Sequence, residues 1–307
     1  MKKFILMIFA AAALLAVSCQ KGASEGGQEG ASEVTFSVGL PSGVAVKSIG
    51  DGGSAKELYY AVFDANGKYL RGLAQAEPLA VVDKTAELTL NLVRNYTYTI
   101  VFWAQAPDAP YTFDAEEGVV TVDYSGDAND EKRDAFCQVH TFTVPDRATF
   151  EETVYLKRPF AQINFGSADY ASVTELGLSM QSTIVIDGLA DTYDILNGVV
   201  SGNAKTELDL TTIPAQCDPS ETLVVAGEEY GYVSMNYVLA PSSEGNELAT
   251  VSATFAYNGA DVQVNVPNVP YRMNYRTNII GSFFTDQVTF TVVVDEAFLQ
   301  PDSDFNI

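Results

Sequence analysis

His140 is the only histidine in the 307-residue chain, and Cys137 stands three residues before it. A thiol and an imidazole could share a metal ion or a nucleophilic step. In a strand, however, a spacing of three puts them on opposite faces. A zinc site also needs further ligands that the surrounding sequence does not offer. A packed or edge histidine with no metal is therefore expected. No histidine zinc motif, P-loop or Gly-x-Ser-x-Gly elbow occurs. The densest run of charge spans residues 123–134 (DYSGDANDEKRD). Oxygens at alternate positions there could hold calcium, but the glycine and distal glutamate of an EF-hand loop are missing. The expectation is a solvated loop in which Lys132 and Arg133 pair with nearby carboxylates. The 40 acidic residues would supply a glycosidase with two carboxylates, yet nothing singles out a pair. Trp103 and the tyrosines could line a sugar-binding surface; more often such residues form a core with hydroxyls at its rim. No catalytic residue and no cofactor is assigned, and the chain is expected not to be an enzyme.

The elements that would position any such groups begin after a targeting segment, residues 1–18. Lys2 and Lys3 precede an uncharged apolar run from Phe4 to Val17, and small residues lead up to Cys19. This is the layout of a secretory signal peptide, too short to span a bilayer comfortably. A cysteine directly after the small residues is the arrangement of bacterial lipoproteins, whose thiol takes diacylglycerol and becomes the new N-terminus. Cys19 is thus the expected lipidation site, although Ala16 stands where leucine is usual and Leu15 lies one step earlier. Gln20 follows the cysteine where an aspartate would signal inner-membrane retention, which favours the outer membrane. Two or three acyl chains anchor a protein far more firmly than one. Residues 19–32 are expected to be a lipidated flexible tether. From residue 20 onward (QKGASEGGQEGAS) they hold no apolar side chain larger than alanine.

The formal net charge is −23, and loss of Lys2 and Lys3 with the signal peptide takes it to −25. So acidic a chain is a poor partner for nucleic acid or an anionic lipid surface. No other apolar segment approaches the roughly 20 residues that span a membrane. With Cys19 lipidated, Cys137 and Cys217 remain. In an exported protein they could pair or stay as two separate buried thiols.

The dominant pattern of the mature chain has period two. Val34, Phe36 and Val38 alternate with polar residues, as do Val251 to Tyr257, Val262 to Val266 and the run that closes on Val292–Val294. Such alternation of β-branched and aromatic residues marks half-buried strands. Asn66-Gly67, Asn258-Gly259 and, more weakly, Asn197-Gly198 read as hairpin turns. The best helical pattern is a turn or two near Ser167 to Val173. About 14 to 17 strands are too many for one small sandwich. An all-β chain of two tandem β-sandwich domains is expected, over residues 33–165 and 166–307, with alternatives for the break from Pro159 to about Ala171 and no sequence repeat visible between the halves.

Four strings carry a family resemblance: residues 101–105 (VFWAQ), 129–136 (NDEKRDAF), 156–164 (LKRPFAQIN) and 269–281 (VPYRMNYRTNIIG). Together and in this order they resemble the fimbrillin-like lipoproteins of Bacteroides-type bacteria, over nearly the whole mature chain. The resemblance implies transthyretin-like sandwiches and a surface subunit of a fimbria. A trypsin-like protease then removes the tether and first strand, and a strand of the next subunit fills the groove by β-addition. Carried onto this chain, the first strand is Glu33 to Leu40. Lys47, where the family usually has arginine, is the candidate processing site. The donor candidate is the C-terminal segment with Val288, Phe290, Val292 and Val294, which could equally complete its own sandwich. The implied partners are other fimbrial subunits and the outer membrane. The alternative is a stand-alone lipid-anchored adhesin that binds a host protein or glycan.

Overall fold

The structure is a computed structural model that describes residues 30–41, 50–126, 129–175, 180–210, 222–241, 245–257, 260–284 and 288–295. Its first half contains β1 (Ala31–Gly39), β2 (Glu57–Asp64), β3 (Leu79–Ala80), β4 (Thr85–Val93), β5 (Thr97–Gln105), β6 (Tyr111–Asp114), β7 (Val119–Val122), β8 (Phe136–Thr143) and β9 (Thr149–Tyr155). The second half opens with β10 (Phe160–Ser167), one short helix α1 (Tyr170–Glu175), β11 (Met180–Leu189), β12 (Thr192–Asp194), β13 (Val199–Ser201) and β14 (Ala204–Leu210). It continues through β15 (Leu223–Val225), β16 (Glu228–Leu239), β17 (Glu247–Tyr257), β18 (Ala260–Tyr271), β19 (Arg276–Ser282) and β20 (Thr289–Asp295). The chain is all-β, as expected. Strands outnumber the expectation because several, such as β3, β12, β13 and β15, are only two or three residues long. Among the described residues no helix is long and apolar enough to cross a membrane.

In the first half, sheet β4-β1-β9 packs on sheet β3-β2-β5-β8. The inward residues of β1, β2, β4 and β5 alternate as the period-two pattern requires, and they enclose one core that includes Phe36, Leu58, Leu88, Ile100 and Phe102. In the second half, sheet β15-β16-β10-β19-β20 faces sheet β14-β11-β17-β18 over Ile163, Phe165, Ile184, Val251 and Phe255. The two halves repeat one topology. β1 pairs antiparallel with β4 and parallel with β9; β10 pairs antiparallel with β16 and parallel with β19.

The halves are joined by a shared sheet. The hairpin β6–β7 leaves the first sandwich, the hairpin β12–β13 leaves the second, and β7 pairs with β12 through Val119↔Asp194, Val120↔Tyr193 and Thr121↔Thr192. This sheet covers the outer face of β2 and β5, so Val101 and Trp103 are as buried as Ile100 and Phe102. The division expected at residues 165 and 166 runs inside β10. Both partners of β10 lie in the second half, so by pairing that half begins at Phe160. That start falls at the early end of the expected range, just after Pro159, since only residues 156–159 separate β9 from β10.

The turns follow the sequence. Phe63 bridges Tyr69 across Asn66-Gly67, and Gly67 and Gly198 both take positive φ, which glycine tolerates without strain. β17 and β18 pair as the third hairpin requires, while Asn258 and Gly259 lie outside the described residues.

Candidate functional site

β1 is held on both sides from Glu33 to Gly39. It runs antiparallel to β4, from Ala31↔Val93 to Gly39↔Thr85, and parallel to β9, from Glu33↔Thr149 to Gly39↔Tyr155. Val34, Phe36, Val38 and Leu40 point into the core and are buried. Burying such a side chain is worth about 1.5–3 kcal/mol, so β1 closes an apolar slot that β4 and β9 cannot close themselves. Phe36 sits at its centre, against Phe102 at 6.0 Å, edge-on to Phe142 at 5.3 Å and edge-on to His140 at 6.3 Å. The outward face is polar, with Glu33, Thr35 and Ser37 above Thr89, Glu87 and Glu151. Removing β1 would leave two unpaired strand edges flanking a hydrophobic groove, which is what strand addition requires.

Behind the slot lies a buried polar joint. Arg158 donates from Nε to Asp134 Oδ1 at 2.5 Å and from Nη2 to Asp134 Oδ2 at 2.9 Å. Its Nη1 donates to Asn274 Oδ1 at 3.1 Å and its Nη2 to the Gly50 carbonyl at 2.8 Å, while the guanidinium lies over the Phe136 ring. Glu131 accepts from Gly50 N–H at 2.8 Å and from the Tyr237 hydroxyl at 3.0 Å. Burial, together with the charge of Asp134 beside it, pushes the Glu131 carboxyl up to about 8. Asn129 Oδ1 receives Met235 N–H at 2.7 Å, which ties this loop to β16. The planar fork of arginine suits such a many-sided site, and the pair is costly to break from one side.

The four strings of the resemblance meet at this joint and beside it. Asp134 comes from the second, Arg158 from the third and Asn274 from the fourth. Trp103, from the first, is fully buried, bonds Gln105 through its indole N–H at 2.7 Å and packs edge-on to Tyr111 at 5.4 Å. Trp103 is thus core, not sugar-binding surface. The charged run is solvated only in part, with Asp123, Ser125 and Lys132 exposed. Asn129, Glu131, Arg133 and Asp134 are buried, and Arg133 donates to the carbonyls of Asp123 and Ser125. The physical reason is tertiary: the run is drawn under β16 and β10, where backbone carbonyls and Arg158 supply its partners. Among the described residues no group of three or more His, Cys, Asp or Glu is placed to hold a metal.

His140 and Cys137 stand on opposite faces of β8. His140 stacks on Phe142 at 5.4 Å with Glu152 at 3.6 Å, and burial lowers its pKa against the pull of Glu152. Cys137 is a buried thiol that burial pushes up to about 12. Cys217, Cys19 and Lys47 lie outside the described residues. The proposed donor strand is β20, and here it pairs with β19 of its own chain, Phe290↔Gly281, Val292↔Ile279 and Val294↔Thr277. Val288 and Phe290 are exposed, while Val292 packs on the core. Residues 296–307 are outside the described set.

No curated protein matches the sequence. Among solved structures, a candidate cell adhesion protein of Bacteroides ovatus superposes with a TM-score of 0.51 at 13% identity, over 86% of this chain and 96% of its own. A candidate adhesin, also of Bacteroides ovatus, gives 0.49 at 11% identity over 85% and 94%. The tip fimbrial protein Mfa3 of Porphyromonas gingivalis with C-terminal truncation gives 0.43 at 11% identity over 86% and 99%. The first of these carries the same fold as this chain. Residues 26–307 match the Family of unknown function (DUF6562), and the chain belongs to that family.

Proposed function

We propose that this protein is a cell-surface subunit of a fimbria, structural or accessory, that assembles by exchange of its first strand. The observation that carries the reading is the slot: β1 alone fills an apolar groove between β4 and β9, with Val34, Phe36 and Val38, and Leu40 just after them, buried. A fold shared with a candidate cell adhesion protein of Bacteroides ovatus supports it. On this reading Cys19 holds the unprocessed chain in the outer membrane, and cutting after Lys47 frees the groove for a strand of another subunit. Uncut, the protein serves as an anchor or accessory subunit. It works through backbone edges and performs no catalysis. The test is to trim the purified mature chain at Lys47, remove the β1 peptide and follow size by chromatography and light scattering. Oligomers are expected, strengthened by an added peptide of residues 288–307. A trimmed protein that stays monomeric at high concentration, with and without that peptide, contradicts the proposal.

One observation favours a second reading, a glycan-binding surface protein. Tyr59 and Phe113, with ring centroids 6.1 Å apart, line a shallow hollow of about 130 Å³ with Gln75, Glu77 and Pro78. Aromatic faces beside polar groups suit a sugar ring. A glycan array without signal removes this reading.

A further inference from the structure

The chain that leads from β1 to β2 is fixed at nearly every residue from Gly50 onward. Gly50 N–H donates to Glu131, and its carbonyl accepts from Arg158. The Asp51 carbonyl accepts from Lys84 Nζ at 2.6 Å, Gly52 N–H donates to Asp134 at 3.2 Å, and Ser54 Oγ donates to the Glu131 carbonyl at 2.6 Å. Lys56 N–H donates to Gln105 and its carbonyl accepts from Val81. Gly52 has φ +74°, and a Cβ there would come within 3.0 Å of the Phe136 ring, so this tight passage needs glycine. Of the groups that hold the segment, Glu131, Asp134 and Arg158 are buried in the joint, while the Lys84 carbonyl also accepts from Leu40 N–H at the end of β1.

We infer that residues 50–56 form a retaining clasp. When the chain is cut upstream, the clasp keeps the new N-terminal end bolted to the joint and stops trimming before β2. The inference rests on the proposed reading of β1 as a removable strand. It makes Asp134 and Arg158 positioning residues for the processed N-terminus. Proteases need several residues of extended, unpaired backbone, and a segment engaged on both its N–H and C=O groups is cut only as often as it opens.

Lys47 and Lys56 are the only basic residues between β1 and β2, so trypsin reads both sides of the clasp. The chain without its signal peptide and lipidated Cys19, residues 20–307, is digested and the two cuts are timed by peptide mass spectrometry. In the same uncut chain, hydrogen exchange is followed over residues 50–55. Cutting after Lys47 with Lys56 spared is expected. In Asp134→Asn, and in the milder Arg158→Lys that keeps the charge but loses the fork, cutting after Lys56 and exchange over 50–55 should each rise about tenfold, with β1 exchange unchanged. Cutting after Lys56 as fast as after Lys47 in the wild-type chain overturns the clasp and leaves the strand reading standing. Unchanged exchange over 50–55 in both variants does the same. A β1 peptide that stays bound after the cut at Lys47 overturns the strand reading instead, and the exchange data on the uncut chain still decide the clasp.

Discussion

β1 and β10 hold the same place in two copies of one topology, each the first strand of its half and each flanked by an antiparallel and a parallel neighbour. Their burial differs. Every residue of β10 from Phe160 to Ser167 is buried, because its sheet is packed on both faces and widened by β15 and β20. β1 alternates between buried and partly exposed residues, in a sheet of three strands whose outer face meets water. Strand β10 also continues directly from Arg158 and the joint, whereas the end of β1 meets the chain next to the joint through Leu156 N–H on the Gly39 carbonyl. One topology thus holds a first strand that is buried on both faces and, on the proposed reading, a first strand that can leave. The difference lies in what covers the outer face, since the pairing scheme is the same.

The largest effects come from the two phenylalanines at these equivalent centres. Phe36→Ala and Phe165→Ala should each cost about 3–5 kcal/mol in the intact chain, read by denaturant unfolding. Trimming after Lys47 should separate them. The Phe36 variant then sheds its β1 peptide and keeps a folded second half, while the Phe165 variant loses the sandwich where Phe165 meets Phe255 at 5.7 Å and Phe283 at 5.8 Å. Next is Gly281→Val, aimed at the strand that the first half lacks. A Cβ at Gly281 would meet the Thr289 carbonyl and the Phe290 Cα, both backbone, so β20 must detach. A loss of about 3 kcal/mol is expected, with hydrogen-exchange protection lost over 289–295 and kept over β10.

Two smaller effects depend on pH and separate joint from slot. Glu131 is raised from 4.5 to about 8 by burial first and Asp134 second, so the folded chain keeps a proton that the unfolded chain releases. Stability should therefore fall as pH rises between those values, and Glu131→Gln should flatten that fall in thermal melts. His140 is lowered from 6.5 by burial, against Glu152. The unfolded chain takes the proton first, so stability should fall as pH drops through 6.5. The effect is the smallest here because the ring is partly exposed and the Glu152 contact is screened, and His140→Phe should remove it.

Much of the fold was legible, because alternation and Asn-Gly turns are local. The strands around Phe36, Phe255 and Val264 and the three hairpins needed no tertiary knowledge. β5 shows where locality fails: Ile100 to Ala104 is apolar on both faces, and only the β7–β12 sheet explains the outer one. The repeated topology was invisible because strand pairing conserves a pattern of edges and not residue identities. The joint was misread for a related reason. Charges in a run look solvated, and nothing local says that Asp134 finds Arg158, 24 residues on, under a second-half strand. The signal lay in the four family strings, which marked the place without giving its geometry.

The most direct test of β1 as an exchangeable strand is native mass spectrometry of the mature chain cut after Lys47, with a labelled peptide of residues 31–41 in excess. The account predicts that the resident β1 fragment departs, that labelled peptide takes its place one-to-one, and that the uncut chain takes up none. A cut chain that retains its own fragment and accepts no label contradicts it.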